Sequence, residues 1–159
     1  MRIGIGYDIH RFEVGRRLVL GGVEFPGETG LAGHSDADVL AHAVIDALLG
    51  AAALGDIGSH FPPDHEAYEG ADSIELLRNA AKRLAERGFA AESVDSTVIA
   101  EKPRIAPHVA KMRQRMASAL GIDVGRINVK ATTNEGLGAI GRHEGIAAMA
   151  VALVREAAD

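Results

Sequence analysis

The chain has no cysteine and no tryptophan, and aromatic residues make up only 4% of it. Without thiols there is no disulfide framework and no cysteine-built zinc module, so any transition-metal site must come from imidazole and carboxylate. The shortage of aromatics removes the stacking platform of a single-strand nucleic-acid binder. A formal net charge of -5, with 17 Lys and Arg against 22 Asp and Glu, removes the clustered basic surface that a phosphate backbone demands. Long apolar runs are missing as well: the longest stretches, Ala47 to Leu54 and Ile146 to Val154, are far too short to cross a bilayer. No charged or Arg/Ser-rich leader precedes the first strand pattern, and the expectation is a cytoplasmic chain with no membrane role. Repeats, low-complexity tracts and linkers are absent too, so residues 1–159 read as one domain.

What is present in excess is glycine, 19 residues, many of them clustered. Glycine lets backbone N–H groups approach phosphate oxygens closely, so any phosphate bound here is held locally by loops. Imidazole and carboxylate are densest in His34-Ser35-Asp36-Ala37-Asp38-Val39-Leu40-Ala41-His42 and in Asp8-Ile9-His10. Apolar and polar residues alternate through Ile3, Ile5, Tyr7 and Ile9, so on a strand Asp8 and His10 share one face. His42 falls on the helix that follows. Three ligands from two rigid elements leave a fourth tetrahedral position open, the arrangement of a catalytic zinc. The plainer reading is three hydrogen-bonded polar residues brought near by chance.

Along the chain, strands are expected over 2–10 and 17–25, with a bend or bulge at Gly21-Gly22, then a loop over 27–33. A helix over 35–53 starts from a Ser35/Asp38 capping box. Residues 55–72 form a long Gly/Pro/Asp-rich connection, and 73–87 an amphipathic helix capped by Asp72 or Ser73 and ended at Gly88. A strand over 93–100, a loop over 101–107, a helix over 109–120 closed by Gly121, and strands over 127–131 and 146–155 complete the pattern. The class is α/β or α+β, with helices packed on a sheet.

Asp38 is either half of the cap or an acceptor for the second N–H of a ligating imidazole. Asp46 reads as a solvated helix position. His34, next to a helix start where phosphate tends to bind, is a phosphate contact or an ordinary loop imidazole. In Lys130 to Arg142, Thr132 and Thr133 offer hydroxyls and Glu135 a carboxylate. That set suits phosphate and a hard divalent cation such as Mg2+ or Mn2+, but also a simple hairpin-like loop.

Taken together, Gly6-Tyr7-Asp8-Ile9-His10-Arg11-Phe12, the Leu31 to Ala43 segment, Asp46 to Gly58, His60-Phe61-Pro62-Pro63, Gly70-Ala71-Asp72-Ser73, Asn128 to Glu135 and Gly141 to Ala147 resemble one family. It is the 2-C-methyl-D-erythritol 2,4-cyclodiphosphate synthases of the non-mevalonate isoprenoid pathway, and the resemblance spans nearly the whole chain. It implies a homotrimer, each subunit a mixed four-stranded sheet with helices on one face and ferredoxin-like βαβ elements, with active sites between neighbours. By residue match, Asp8, His10 and His42 would bind zinc and Glu135 would hold Mg2+ or Mn2+. His34 and Ser35 would take substrate phosphate, and Asp8, Ile9 and His10 would also contact substrate. Asp56, Ile57, Gly58, Phe61, Pro62, Pro63, Asp64 and His65 would enclose the methylerythritol part. The cytidine diphosphate part would fall to Ala100, Glu101, Lys102, Pro103, Arg104, Ile105 and Ala106 with Thr132, Thr133, Asn134 and Glu135. The implied reaction releases CMP by intramolecular attack of a 2-phosphate on a β-phosphate, with His34 and Thr133 supporting the developing charge.

The chain departs from the family pattern at His65-Glu66, where Asp-Pro is common, at Ala139, where an aromatic is usual, and at Met149, where an acid is common. The resemblance assigns Ala139, Arg142 and Met149 to a cavity on the trimer axis that takes prenyl diphosphates, so such a ligand is expected to bind weakly here. Two rival readings fit parts of the pattern. A zinc phosphohydrolase would use the same Asp/His/His set and release inorganic phosphate. A trimeric nucleotide-sensing module would use the glycine loops without turnover.

Overall fold

The computed structural model describes residues 1–62 and 68–157. Strand β1 (Arg2–Leu20) has two partners in succession: Arg2 to Arg11 pair antiparallel with β5 (Gly145–Glu156), and from Phe12 onward the strand pairs with β2 (Val23–Leu31). On its other edge β5 pairs antiparallel with β3 (Phe89–Ile99), and β3 pairs parallel with β4 (Ile127–Thr132). The order is β2-β1-β5-β3-β4.

The sheet therefore has five strands where the family resemblance implied four; the residue pattern also counted five, but ran one of them over 17–25, across the turn that separates β1 from β2. The expected mixed set is there as β1, β5, β3 and β4, and β2 adds along the far half of β1. Gly21 and Gly22 stand at φ 56° and 71°, a two-residue hairpin turn that only glycine adopts cheaply. The chain thus reverses there instead of bulging, and the segment expected as loop over 27–33 is strand as far as Leu31.

Helices α1 (Val39–Ala51), α3 (Ser73–Ala85) and α4 (Val109–Leu120) supply the core against the sheet, and α4 joins β3 to β4 as a βαβ unit. Leu40, Leu48, Leu77, Leu84 and Met112 are fully buried, each worth about 2–3 kcal/mol of burial. Two short helices, α2 (Ile57–His60) and α5 (Gly138–Gly141), lie in the stretches expected as continuous loop.

Helix α1 begins four residues later than expected because Asp38, and not Ser35, caps it. Asp38 Oδ1 accepts from the N–H groups of Ala41 and Gly21, at 3.0 and 2.9 Å, and Oδ2 accepts from Gly22 N–H at 2.7 Å. One buried carboxylate ties the β1–β2 turn to the start of α1. Its oxygens are spent on backbone, so it does not support an imidazole.

The face of β1 toward α1 carries Gly4, Gly6, Asp8 and His10, while Ile3, Ile5, Tyr7 and Ile9 point the other way. A Cβ on Gly4 would fall 2.1 Å from the Ala47 carbonyl oxygen, and one on Gly6 1.9 Å from that of Ala43. Two glycines opposite alanines let helix and strand touch backbone to backbone. The next two residues on that face, Asp8 and His10, then meet His42 on the helix.

Candidate metal centre and substrate pockets

Asp8 Oδ2 lies 2.9 Å from His10 Nε2 and 3.0 Å from His42 Nδ1, and the two ring nitrogens are 3.3 Å apart. All three side chains are half-buried or more. The far side of each ring settles which nitrogen carries the proton. His10 Nδ1 sits 2.6 Å from the Ala32 carbonyl oxygen, so it must donate, leaving the Nε2 lone pair toward Asp8. His42 Nε2 sits 2.9 Å from Ser73 Oγ, whose own hydroxyl proton goes to Asp36, and 3.1 Å from Ser35 Oγ; with Nε2 donating there, Nδ1 keeps its lone pair toward the same point. With neutral rings, three acceptors converge where a cation belongs. Two imidazole nitrogens and a carboxylate oxygen suit a borderline transition metal better than the all-oxygen surroundings that Mg2+ and Ca2+ prefer.

Without a cation at this point, protons take its place between the same three groups. Burial would raise the Asp8 carboxyl, but hydrogen bonds from His10 and His42, and their charge, hold it well below the ordinary carboxylate range. Burial works against charge on His10, yet the Asp8 hydrogen bond and charge, with the Ala32 carbonyl, raise its pKa above the usual imidazole value.

These ligands open onto a cavity of about 220 Å³ lined also by His34, Ser35, Ile57, Gly58, Phe61, Tyr68 and Leu76. Asp46, expected as a solvated position, is half-buried and accepts from Ile57 N–H at 2.7 Å, so α1 fixes both the His42 ligand and the opposite cavity wall. Asp56 caps α2, accepting from Ser59 N–H at 2.8 Å. It is exposed and does not line the cavity. Ile9 departs from its expected place by the two-residue period of a strand: its side chain lies on the opposite sheet face, and only its N–H reaches Asp8 Oδ1, at 2.9 Å. Pro62 is half-buried beside Phe61, outside the cavity lining. Pro63, Asp64 and His65 lie outside the described residues.

A second cavity, about 180 Å³, is lined by Ala100, Glu101, Pro103, Arg104, Ile105, Ala106, Ala131, Thr132 and Thr133. Among the described residues it shares none with the first. Glu101 Oε1 accepts from the N–H groups of Asn134 and Gly136, at 2.9 and 3.2 Å, and so pins the 133–136 loop to the 100–106 loop. Glu135 stands at φ 52°, a strained region for a side chain of its size, and its Oε1 accepts from Thr133 Oγ1 at 3.0 Å. Lys102 lines a separate groove with Phe12, Glu28 and Thr29. Ala139 and Met149 are exposed, the latter on the outer sheet face beside Val151, and Arg142 pairs with Glu144 at 2.7 Å.

Sequence reasoning missed Tyr68 and Leu76 in the cavity, and Ser73 and Asp36 behind His42. Ser73 could have been found through Asp72: Asp72 accepts from Ile74 N–H at 2.8 Å and caps α3, which frees the Ser73 hydroxyl for other use.

Comparison with known proteins places this geometry. The model of the YgbB family matches residues 1–155. The 2-C-methyl-D-erythritol 2,4-cyclodiphosphate synthase of Alkaliphilus metalliredigens is 56% identical over 154 residues, covering 97% of each chain. Among solved structures, the bifunctional IspDF of Campylobacter jejuni superimposes with a TM-score of 0.94 at 42% identity. That match covers 98% of this chain and 42% of the bifunctional one. The CDP complex of IspF from Plasmodium falciparum gives 0.86 at 34% identity, covering 99% and 97%.

Proposed function

The chain belongs to the YgbB family, and from that premise we infer that it is a cyclodiphosphate synthase of the non-mevalonate isoprenoid pathway. It closes 4-diphosphocytidyl-2-C-methyl-D-erythritol 2-phosphate into 2-C-methyl-D-erythritol 2,4-cyclodiphosphate and releases CMP. One bond forms, from a 2-phosphate oxygen to the β-phosphorus; one breaks, from the β-phosphorus to the oxygen that leaves on CMP. The observation that carries this reading is the convergence of three lone pairs from Asp8, His10 and His42 at the mouth of a cavity large enough for the methylerythritol part.

Those three residues would hold zinc, and Glu135 would hold Mg2+ or Mn2+; metals bound there would supply neutralisation of phosphate charge and polarisation of the β-phosphate. The chain's own groups do the rest. His34 and Ser35 bind phosphate at the cavity mouth, and Ile57, Gly58 and Phe61 wall the methylerythritol part, with Asp56 and Pro62 beside them. The attacking phosphate is anionic near neutral pH and needs no general base, so catalysis rests on holding the two phosphates in line and excluding water. Thr133, with His34, donates toward the charge that develops between them. Thr132, Asn134 and the 100–106 loop cradle the cytidine diphosphate.

The working unit is a homotrimer of one-domain catalytic chains. Ile3, Ile5, Tyr7, Ile9, Met149 and Val151 leave an apolar sheet face exposed, which supports an oligomer. Among the described residues the two cavities of one chain have no common wall, which supports a cytidine pocket supplied by the neighbouring subunit. No described helix is long and apolar enough to span a bilayer.

The test is CMP release with the product identified by phosphorus NMR, for wild type and His42→Ala. Cyclic diphosphate from wild type alone supports the reading. Inorganic phosphate in place of CMP makes the site a hydrolase, and cytidine nucleotide binding without product makes it a sensing module.

A further inference from the structure

The His42 ring stands between two carboxylates. On the cavity side its Nδ1 is 3.0 Å from Asp8 Oδ2. On the far side its Nε2 is 2.9 Å from Ser73 Oγ; the Ser73 hydroxyl donates to Asp36 Oδ1, and Ser73 N–H donates to Asp36 Oδ2 at 3.1 Å. A neutral imidazole carries one proton and can satisfy only one end. Placed on Nδ1 it would bond Asp8 and remove the lone pair a metal requires; placed on Nε2 it leaves that lone pair open.

Ser73 decides the contest. Its single hydroxyl proton is committed to the Asp36 carboxylate, so only lone pairs remain to face the imidazole, and toward Ser73 Nε2 can act only as the donor. Ser35 Oγ, 3.1 Å from the same nitrogen, accepts from Ala37 N–H at 3.1 Å, and its own proton has an acceptor in Ser73 Oγ at 3.4 Å, whose proton is already on Asp36; with that proton so placed, both hydroxyls accept from Nε2. Ser73 is fully buried, so water does not compete for these bonds. Asp36 is held in turn: its N–H donates to the Ala71 carbonyl at 3.0 Å, and its Oδ1 accepts from Asp38 N–H at 3.2 Å. This carboxylate lines neither of the two cavities assigned to substrate.

We propose that Asp36, acting through Ser73, is a positioning residue that keeps the His42 proton on Nε2 and thereby holds Nδ1 open as a metal ligand. The inference rests on reading Asp8, His10 and His42 as a metal site. His10 has the simpler counterpart, a single backbone carbonyl at Ala32. The asymmetry follows from location: His10 lies on a strand edge with main chain beside it, whereas His42 on a helix must borrow a side chain from α3.

The experiment reads the ring nitrogens of 15N-histidine protein by NMR, metal-free and at a pH where the rings are neutral, for wild type, Asp36→Asn, Ser73→Ala and Ser73→Thr. Zinc affinity of each is measured by competition with a chromogenic chelator. Wild type should show Nε2–H at His42. Asp36→Asn and Ser73→Ala should shift His42 toward Nδ1–H and bind zinc about tenfold or more weakly. Ser73→Thr keeps the hydroxyl and should recover both. Variants that retain the wild-type tautomer and affinity overturn the proposal, as does Nδ1–H in wild type. The His10 ring, protonated by its own carbonyl contact, reports whether a variant is folded. If Ser73→Ala does not fold, Asp36→Asn, which leaves every hydroxyl in place, decides alone. Wild type that binds no zinc refutes the metal reading, and the metal-free spectra still judge the role of Asp36.

Discussion

Gly6 on β1 lies so close under Ala43 of α1 that a Cβ added to it would stand 1.9 Å from the Ala43 carbonyl oxygen, and the residue before Ala43 is the ligand His42. The distance between strand and helix, and with it the size of the metal site, is set by the absence of one methyl group. Gly6→Ala is expected to lower the melting temperature by roughly 5–10 °C, the upper range for overpacking a chain of this size, and to weaken zinc binding with it. Gly50→Ala is the contrast. A Cβ there meets nothing within 4 Å, and inside a helix the change should stabilise by about 0.5–1 kcal/mol. Equal melting temperatures for the two variants would contradict the packing argument.

Three convergent acceptors should make metal binding a folding term. At a free zinc concentration about a hundredfold above its dissociation constant, the stability gain is about 2.7 kcal/mol. Chelation should therefore lower the melting temperature of wild type by several degrees and leave His42→Ala unmoved. A chelator effect of the same size in both proteins would show that the bound metal sits elsewhere.

Much of this site is legible in the sequence because its two halves follow simple periods. Asp8 and His10 sit two apart on an alternating strand, and His42 and Asp46 sit four apart on one helix. What is not legible is which backbone groups need partners once the chain has folded. Asp38 looks like a cap and is one, but its second oxygen answers the amide of Gly22 in a turn 16 residues away. Ser73 looks like a cap and is not, because Asp72 takes that task and releases its hydroxyl to His42. The fifth strand is hidden for the same reason: β2 contains Pro26, Gly27 and Gly30, a poor strand by composition, and pairing with β1 overrides it.

Asp46 is predicted to govern substrate binding without touching metal. Removing its carboxylate frees Ile57 N–H and the start of α2, and with them the Ile57–Gly58 wall of the cavity. A hydrogen bond to a charged acceptor is worth about 1.5–3 kcal/mol when buried, less at this half-buried site. Asp46→Ala should raise KM about tenfold while zinc content and affinity stay at wild-type values. Loss of zinc in this variant would mean that Asp46 supports α1 itself and not the wall.

Asp38 should give the chain a pH dependence whose sign follows from its burial. Burial, then the nearby charge of Asp36, push its carboxyl up to about 6, against the three N–H groups that favour the ionised form. The ordinary value is 3.8. A folded-state pKa above the unfolded one means that the native state holds the proton more tightly. The associated stability is complete below about pH 4 and is lost as pH rises through about 6. Measured against Asp38→Asn, which cannot titrate at this position, wild-type stability should fall by about 3 kcal/mol between pH 4 and 7 in urea unfolding. Asp38→Asn should be the less stable protein at the acid end, because its amide cannot accept from Gly21, Gly22 and Ala41 together. A difference that is flat across this range, or that grows with pH, would show that the three amides outweigh burial and that Asp38 stays ionised throughout.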